Sequence, residues 1–154
     1  MPQITVDIPQ GHFRISEQNG MIVRTTWGRG ENEPTPLLNE AAKQLRDYFA
    51  GNRRDFDLPL QPHGPAMHQQ VWQAMLAIPF GKTRSYGDLA QALNTCARAV
   101  GGACGANPIP IFIPCHRVLA ANGEIGGFSG GQGVVTKREL LVLEGAIAEQ
   151  LSLI

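Results

Sequence analysis

Cys115 and His116 are adjacent and form the pair of side chains in this chain best suited to covalent chemistry. A thiolate is a strong nucleophile, and a neighbouring imidazole can accept the proton that a thiol with a free pKa of about 8.5 must lose. Most single cysteines are instead small buried hydrophobic side chains, so the pair alone leaves both interpretations open.

The residues before this pair favour a fixed position for the thiol. Residues 107–114 contain three prolines and the apolar run Ile111-Phe112-Ile113. Proline fixes φ and favours extended geometry in the residue that precedes it. We therefore predict a rigid, non-helical segment that presents Cys115 at a set angle, as a nucleophile requires.

Glu144 is predicted to complete a triad with the pair. The last helix is predicted over residues 136–151, where Glu144 shares a face with Leu140 and Ile147. A carboxylate on a buried face must be paired. His116 is the predicted partner, since a carboxylate that orients a histidine beside a cysteine is the arrangement of a catalytic triad.

Two short helices upstream have the form of a helix-turn-helix. The first is predicted over Tyr86–Leu93 with Ser85 as its N-cap, and the second over Cys96–Ala106 after a turn at residues 94–95. Three glycines weaken the second helix, each by about 1 kcal/mol relative to alanine. They are Gly101, Gly102 and Gly105. Such glycines indicate a close approach, either to a neighbouring helix or to a nucleic-acid groove into which Arg98 would project.

The first third of the chain has the patterns of a small sheet and a helix. Alternating runs at residues 4–8, 13–15 and 20–27 predict an antiparallel meander. Apolar residues at helical spacing then predict a helix over 35–50, which Gly51 ends.

A domain boundary is predicted in residues 52–64, which carry charges, prolines and a glycine. The N-terminal sheet and helix domain would span residues 1–60, and the C-terminal domain residues 65–154. The second domain would begin with an amphipathic helix over 66–78, whose apolar face we interpret as core.

Composition excludes several classes of protein. The 154 residues are 43% hydrophobic with zero formal net charge, enough for one compact domain or a small domain against a larger one. No stretch reaches the roughly 18 apolar residues of a membrane helix, and the N-terminus lacks a secretory pattern. Three cysteines without a Cys-x-x-Cys pair favour neither a disulfide framework nor a zinc site, and the cytoplasm is the expected location.

Residues 82–117 carry an excess of three positive charges. The basic residues are Lys82, Arg84, Arg98 and Arg117, and the acid is Asp88. This modest basic stripe does not by itself indicate nucleic-acid binding, and it predicts few phosphate contacts if DNA is the partner.

Three motifs, taken in order, resemble those of the O6-alkylguanine-DNA alkyltransferases, also called methylated-DNA–protein-cysteine methyltransferases. They are Ala97-Arg98-Ala99-Val100-Gly101-Gly102, Asn107-Pro108 and Pro114-Cys115-His116-Arg117-Val118. The resemblance covers residues 67–145. It implies an α/β (α+β) fold, with a small ribonuclease-H-like antiparallel sheet plus helix and a mostly helical C-terminal domain that carries the helix-turn-helix.

The resemblance also implies a catalytic role for four residues. Cys115 would accept the alkyl group, and His116 would act as its base through a water. Glu144 would orient His116, and Asn107 would brace the segment before Cys115.

Other matching positions would bind the DNA and the damaged base. Tyr86 would help to rotate the nucleotide out of the duplex, and Arg98 would fill the gap, on a helix that Gly101 and Gly102 keep narrow. The groups that contact the base would be the carbonyls of Cys115 and Val118, as acceptors for the guanine amino group, and the N–H of Ser129, as donor to the alkylated oxygen.

The function implied is direct DNA repair. An alkyl group would pass irreversibly from O6-alkylguanine, or from O4-alkylthymine, in double-stranded DNA to Cys115, once per protein molecule. No cofactor or metal is implied, because no cysteine precedes Cys96 to hold the zinc that some members carry. We expect a monomer. The chain departs from the family pattern in a shorter turn at 94–95, in Phe128 where tyrosine is common, and in a slightly longer glycine loop.

Two alternatives remain at this stage. A thiol hydrolase with a Cys-His-Glu triad would turn over many times, but it leaves the glycine-rich helix with Arg98 unexplained. A non-catalytic DNA-binding module would not need Cys115. Replacing Cys115 with serine separates transfer from binding.

Overall fold

The computed structural model describes residues 1–125, 131 and 133–148. Its first element is a three-stranded antiparallel sheet in the order β1 (Gln3–Ile8), β2 (Gly11–Gln18), β3 (Met21–Trp27). Asn19 and Gly20 both have positive φ, 53° and 75°, as the two central residues of a type I′ hairpin require. The predicted meander is confirmed.

Both edges of this sheet are covered. The loop before the first helix lies along β1, where Glu33 N–H donates to the Gln3 carbonyl at 2.7 Å. On β3, Ile22 forms backbone hydrogen bonds with the segment around Leu60. Thr25 reaches the proline-rich segment twice, from its N–H to the Pro108 carbonyl at 3.0 Å and from Oγ1 to the Pro110 carbonyl at 2.8 Å. The sheet therefore anchors the segment that leads to the cysteine.

Two helices follow the sheet. In α1 (Pro36–Phe49) the Thr35 side chain accepts from the N–H of Leu38, proline opens the first turn, and Gly51 with φ 82° closes the end. In α2 (Ala66–Leu76) the side chains of Val71, Trp72 and Met75 are buried. The predicted bounds of α2 were two residues too long.

The helix-turn-helix consists of α3 (Tyr86–Ala92) and α4 (Ala97–Gly105). Ser85 and Asp88 form a capping box at the start of α3. Asn94 has φ 57°, and two backbone hydrogen bonds close the end of α3 around it. In one of them, Thr95 N–H donates to the Ala90 carbonyl at 2.9 Å. This is a Schellman motif, which sets the sharp turn between the helices.

The last described helix, α5 (Val134–Leu143), is shorter than predicted. A Schellman motif ends it: Gly145 has φ 73°, and Ala146 N–H donates to the Leu141 carbonyl at 2.9 Å. The predicted helix was therefore wrong for residues 144–148. Residues 149–151 lie outside the described part.

The mixed α/β class is confirmed. Buried side chains of the sheet, α1 and the C-terminal helices form one hydrophobic cluster, which Phe56 and Phe112 join with ring centroids 4.8 Å apart. A short parallel pair, β4 (Arg84–Ser85) and β5 (Val118–Leu119), attaches the start of α3 to the segment after Cys115. None of the helices in the described ranges is long and apolar enough to cross a bilayer.

Candidate active site

Cys115 opens a short 3-10 turn, Cys115–Arg117. Pro114 before it has φ −82° and ψ 66°, the geometry of an inverse γ-turn, and Cys115 N–H donates to the Ile113 carbonyl at 2.8 Å. Cys115 is only 7% exposed. The two turns fix the backbone of the nucleophile and leave its thiol a narrow opening.

Asn107 holds the segment before Cys115 by its amide. Nδ2 donates to the Ile113 carbonyl and Oδ1 accepts from Ile109 N–H, both at 3.0 Å. Ile113 N–H also donates to the Ile109 carbonyl, and Ile111 between them has φ 73°, a strained value for a β-branched residue. The segment is non-helical, as predicted, but it folds into a tight turn instead of running extended.

The carboxylate of Glu144, which is 4% exposed, receives hydrogen bonds from three side chains. Nε2 of His116 lies 2.8 Å from Oε2, and the Tyr48 hydroxyl donates to the same oxygen at 2.7 Å. Arg117 binds both oxygens, from Nε at 2.8 Å and Nη2 at 2.9 Å, and its Nη1 donates to the Ile78 carbonyl. The structure thus brings together the predicted Glu144–His116 pair and two further donors.

This network fixes the protonation of His116. Burial alone would raise the pKa of Glu144, but hydrogen bonds from His116 and Arg117 outweigh it and lower that pKa to about 2. Burial lowers the pKa of His116, against the opposing pull of Glu144. Nε2 of the neutral ring therefore donates to an ionised carboxylate. Nδ1 is left as an acceptor, buried and without a hydrogen-bond partner among the described residues.

The thiol needs that acceptor. Burial raises the pKa of Cys115, while a hydrogen bond with the Asn107 side chain and the charge of Lys137 oppose the rise. Cys115 is therefore a protonated thiol at neutral pH, and it becomes a nucleophile only if a base removes its proton.

A buried lysine lies against a tyrosine, and each interacts electrostatically with the thiol. Lys137 is 1% exposed, with Nζ 3.5 Å from the Tyr86 hydroxyl and 5.7 Å from the centre of its ring. Burial, and next the negative charges that Cys104 and Cys115 acquire only at high pH, raise the pKa of Tyr86 to about 12. Tyr86 is therefore a phenol at neutral pH and can donate a hydrogen bond to a bound base.

The glycines of α4 lie on a face of the helix against which no described residue packs. A Cβ added to Gly101, Gly102 or Gly105 would meet no atom of the described chain within 4 Å. Packing against a neighbouring helix therefore does not explain these glycines, and the approach of a ligand remains. Arg98 lies exposed near the start of the same helix.

Family models and known proteins match this arrangement. Residues 6–62 match the ribonuclease-like domain of 6-O-methylguanine DNA methyltransferase, and residues 66–146 match its DNA-binding domain. The chain belongs to this family. It is therefore a methyltransferase of DNA repair, as the sequence motifs indicated.

Individual relatives are similar over most of their length. A constitutive methylated-DNA–protein-cysteine methyltransferase of Bacillus subtilis is 40% identical, covering 83% of this chain and 86% of its own. One from Mycobacterium bovis is 44% identical over 86% of this chain and 78% of its own. A crystal structure of Mycobacterium tuberculosis OGT in complex with DNA superimposes with a TM-score of 0.84 at 39% identity, covering 95% of this chain and 94% of that one.

Three residues of this methyltransferase site were not predicted. Arg117 was counted with the surface charges, but it is buried against Glu144, so the exposed basic stripe is Lys82, Arg84 and Arg98. Tyr48 gave no signal, because it lies 96 residues before its partner. Lys137 was detectable, since it lies seven residues before Glu144 on the apolar side of α5.

Of two predicted contacts to the base, Val118 and Ser129, the structure describes only the first. Val118 is buried in β5, directly after the 3-10 turn. Ser129 and Phe128 lie outside the described residues. Among the residues described, no group of three or more His, Cys, Asp or Glu is placed to hold a metal ion.

Proposed function

We propose that this protein repairs O6-alkylguanine, and also O4-alkylthymine, in double-stranded DNA by moving the alkyl group to Sγ of Cys115. The observation that carries the proposal is the acceptor lone pair on Nδ1 of His116. It is buried, belongs to the residue directly after the cysteine, and is set by the Glu144 hydrogen bond on the opposite ring nitrogen. A thiol with a raised pKa next to such a base is the arrangement that nucleophilic transfer requires.

The reaction is a displacement at the alkyl carbon. The Cys115 proton passes to Nδ1 of His116 through a water, the thiolate forms the S–C bond, and the C–O6 bond breaks with its electron pair on the guanine. The Tyr86 hydroxyl and the Ser129 N–H donate to the base as charge develops, which makes guanine a better leaving group. The carbonyls of Cys115 and Val118 hold its amino group. The product is a thioether, and none of the described groups of the site is suited to cleave it.

The base must leave the stack before the thiol can reach it. We propose that α4 enters the minor groove, where the bare surface at Gly101 and Gly102 permits close contact with the DNA backbone. Arg98 then fills the space of the flipped nucleotide and offsets part of an unstacking cost of a few kcal/mol.

The proposed organisation has two domains, residues 1–60 and 65–154, acting as a monomer. Support for the division comes from the separate matches at 6–62 and 66–146. The three cysteines are all free thiols, which suits the reducing cytoplasm that we propose as the location.

A stoichiometric titration tests the reaction class. With labelled O6-methylguanine duplex in large excess, we expect transfer to stop at one methyl group per protein molecule. Continued transfer beyond that ratio would indicate a turnover enzyme such as a hydrolase and would overturn the proposal.

Replacing Arg98 with alanine should separate flipping from chemistry. We expect the rate of transfer from duplex DNA to fall about 100-fold, which corresponds to a few kcal/mol of lost stabilisation of the extruded state. Transfer from free O6-alkylguanine base should stay near that of the wild type, because no stack is opened. Single-turnover assays on both substrates measure the two rates.

Arg84→Ala is the matched control, since Arg84 is an exposed arginine of the same stripe. It should weaken DNA binding in a salt-dependent way without a selective loss on duplex at saturating DNA. If Arg98→Ala lowered the rate of transfer from duplex and from free base equally, Arg98 would not fill the gap.

A further inference from the structure

Tyr48 connects the N-terminal helix to the catalytic carboxylate. It lies near the end of α1, is 1% exposed, and donates to Oε2 of Glu144 at 2.7 Å. Three aromatic rings surround its own, with centroids at 5.0 to 6.2 Å. They are Phe49, Phe56 and Phe80. The hydroxyl is therefore aimed at the carboxylate by a packed ring that has little freedom to rotate.

The Tyr48 hydroxyl binds the same carboxylate oxygen of Glu144 that His116 binds. Oε2 of Glu144 accepts from Tyr48, from Nε2 of His116 and from Nη2 of Arg117, whereas Oε1 accepts from Nε of Arg117. Burial, and next the negative charge of Glu144, raise the pKa of Tyr48 above its usual range, so the phenol keeps its proton and can only donate. Tyr48 and His116 thus share one acceptor.

We propose that Tyr48 is a positioning residue for alkyl transfer: its hydroxyl fixes the Glu144 carboxylate and moderates how strongly that carboxylate holds a proton on His116. The inference rests on the proposed function, since it assigns Tyr48 a part in the same reaction. It also gives the N-terminal domain a direct share in the chemistry, beyond anchoring the proline-rich segment through Thr25.

The sign of the effect follows from the shared oxygen. Without the Tyr48 hydroxyl, more of the negative charge on Oε2 is available to His116, and the imidazolium becomes more stable. The charges of Arg117 and Lys137 oppose that imidazolium, and the substitution leaves them in place. His116 is a base only when neutral, so the acid limb of the pH–rate profile should move to higher pH. Looser orientation of Glu144 should also lower the plateau.

The test is Tyr48→Phe, which keeps the ring and removes the hydroxyl. Single-turnover transfer from O6-methylguanine duplex at saturating DNA is followed across acid and neutral pH. We expect the plateau rate to fall about tenfold, the lower end of the loss seen when a partner that orients a metal-ligating histidine is removed. The midpoint of the acid limb should move to higher pH by about half a unit. Circular dichroism checks the fold, and an unstable variant is assayed in the cold, near the temperature of maximum stability.

Thr25→Val is the matched control. It also removes a buried hydroxyl through which the N-terminal domain reaches a C-terminal group, but that group is the Pro110 carbonyl and not Glu144. Its acid limb should stay at the wild-type pH. An unmoved limb and plateau in Tyr48→Phe, or an equal shift in Thr25→Val, would overturn the role of Tyr48. Wild-type protein that leaves Cys115 unalkylated would overturn the proposed function instead, so the two failures are distinguishable.

Discussion

Cys115→Ser is expected to leave no alkylated protein after incubation with damaged duplex. A serine hydroxyl keeps its proton under conditions where a thiol beside His116 loses it, so the rate should fall by at least about 10⁴-fold, as in other enzymes that lose their nucleophile. DNA affinity should stay within about twofold, because the DNA surface that we propose is the exposed face of α4 and does not include the buried thiol. Intact-mass spectrometry and a gel-shift assay measure the two properties.

Cys96→Ser provides the control, because Cys96 is an exposed thiol at the N-cap of α4. Serine is a better N-cap than cysteine, so the fold should be unharmed and the methyl group should still be transferred. Transfer that survives in Cys115→Ser would place the acceptor elsewhere, with Cys104 as the first residue to examine.

Glu144→Gln is expected to slow transfer and to destabilise the protein by about 3–5 kcal/mol, the usual cost of breaking a buried ion pair from one side. Glutamine matches the shape of glutamate, but it leaves Arg117 buried without a counter-charge. It also offers an amide that can donate towards His116. DNA binding should change little, since the residue is buried. Chemical denaturation gives the free energy of unfolding, and single-turnover assays give the rate.

The stability difference should depend on pH in a defined direction. The pKa of Glu144 is lowered from 4.5 to about 2 in the folded chain, so its contribution is complete above the unfolded value and is lost as the pH falls towards about 2. Wild type and Glu144→Gln should therefore converge in stability as the solution is acidified. Glu139→Gln, at an exposed position of the same helix, should match the wild type within about 0.5 kcal/mol throughout. Equal stability of Glu144→Gln and wild type at neutral pH would make the network unimportant for the fold.

Local signals in the sequence predicted most of the elements that position the site. The Asn19-Gly20 turn, the Thr35 cap and the Ser85 capping box each depend on a few neighbouring residues, so the sheet, α1 and α3 were predictable. The need to pair a buried carboxylate also predicted a partner for Glu144, and the structure places His116 there.

Long-range contacts were beyond such reasoning. Tyr48 meets Glu144 only because the end of α1 lies against the end of α5, and no local pattern marks that contact. The burial of Arg117 likewise depends on the Ile78 carbonyl and on Glu144, which follow the ends of α2 and α5. The end of α5 was a different error, because Gly145 was a visible stop signal that the apolar pattern beyond it outweighed.

The glycines of α4 show what the structure adds to an ambiguous pattern. Helix packing and DNA contact both explained them from the sequence. The open space around Gly101 and Gly102 removes the first explanation, and DNA contact is the explanation that we propose.

The mass of the protein after incubation with duplex DNA carrying O6-methylguanine tests the central claim most directly. We predict that the intact protein gains the mass of one methyl group, and that fragmentation places it on Cys115. A methyl group on another residue, an unmodified protein beside repaired DNA, or a second methyl accepted by protein already modified at Cys115 would contradict the account.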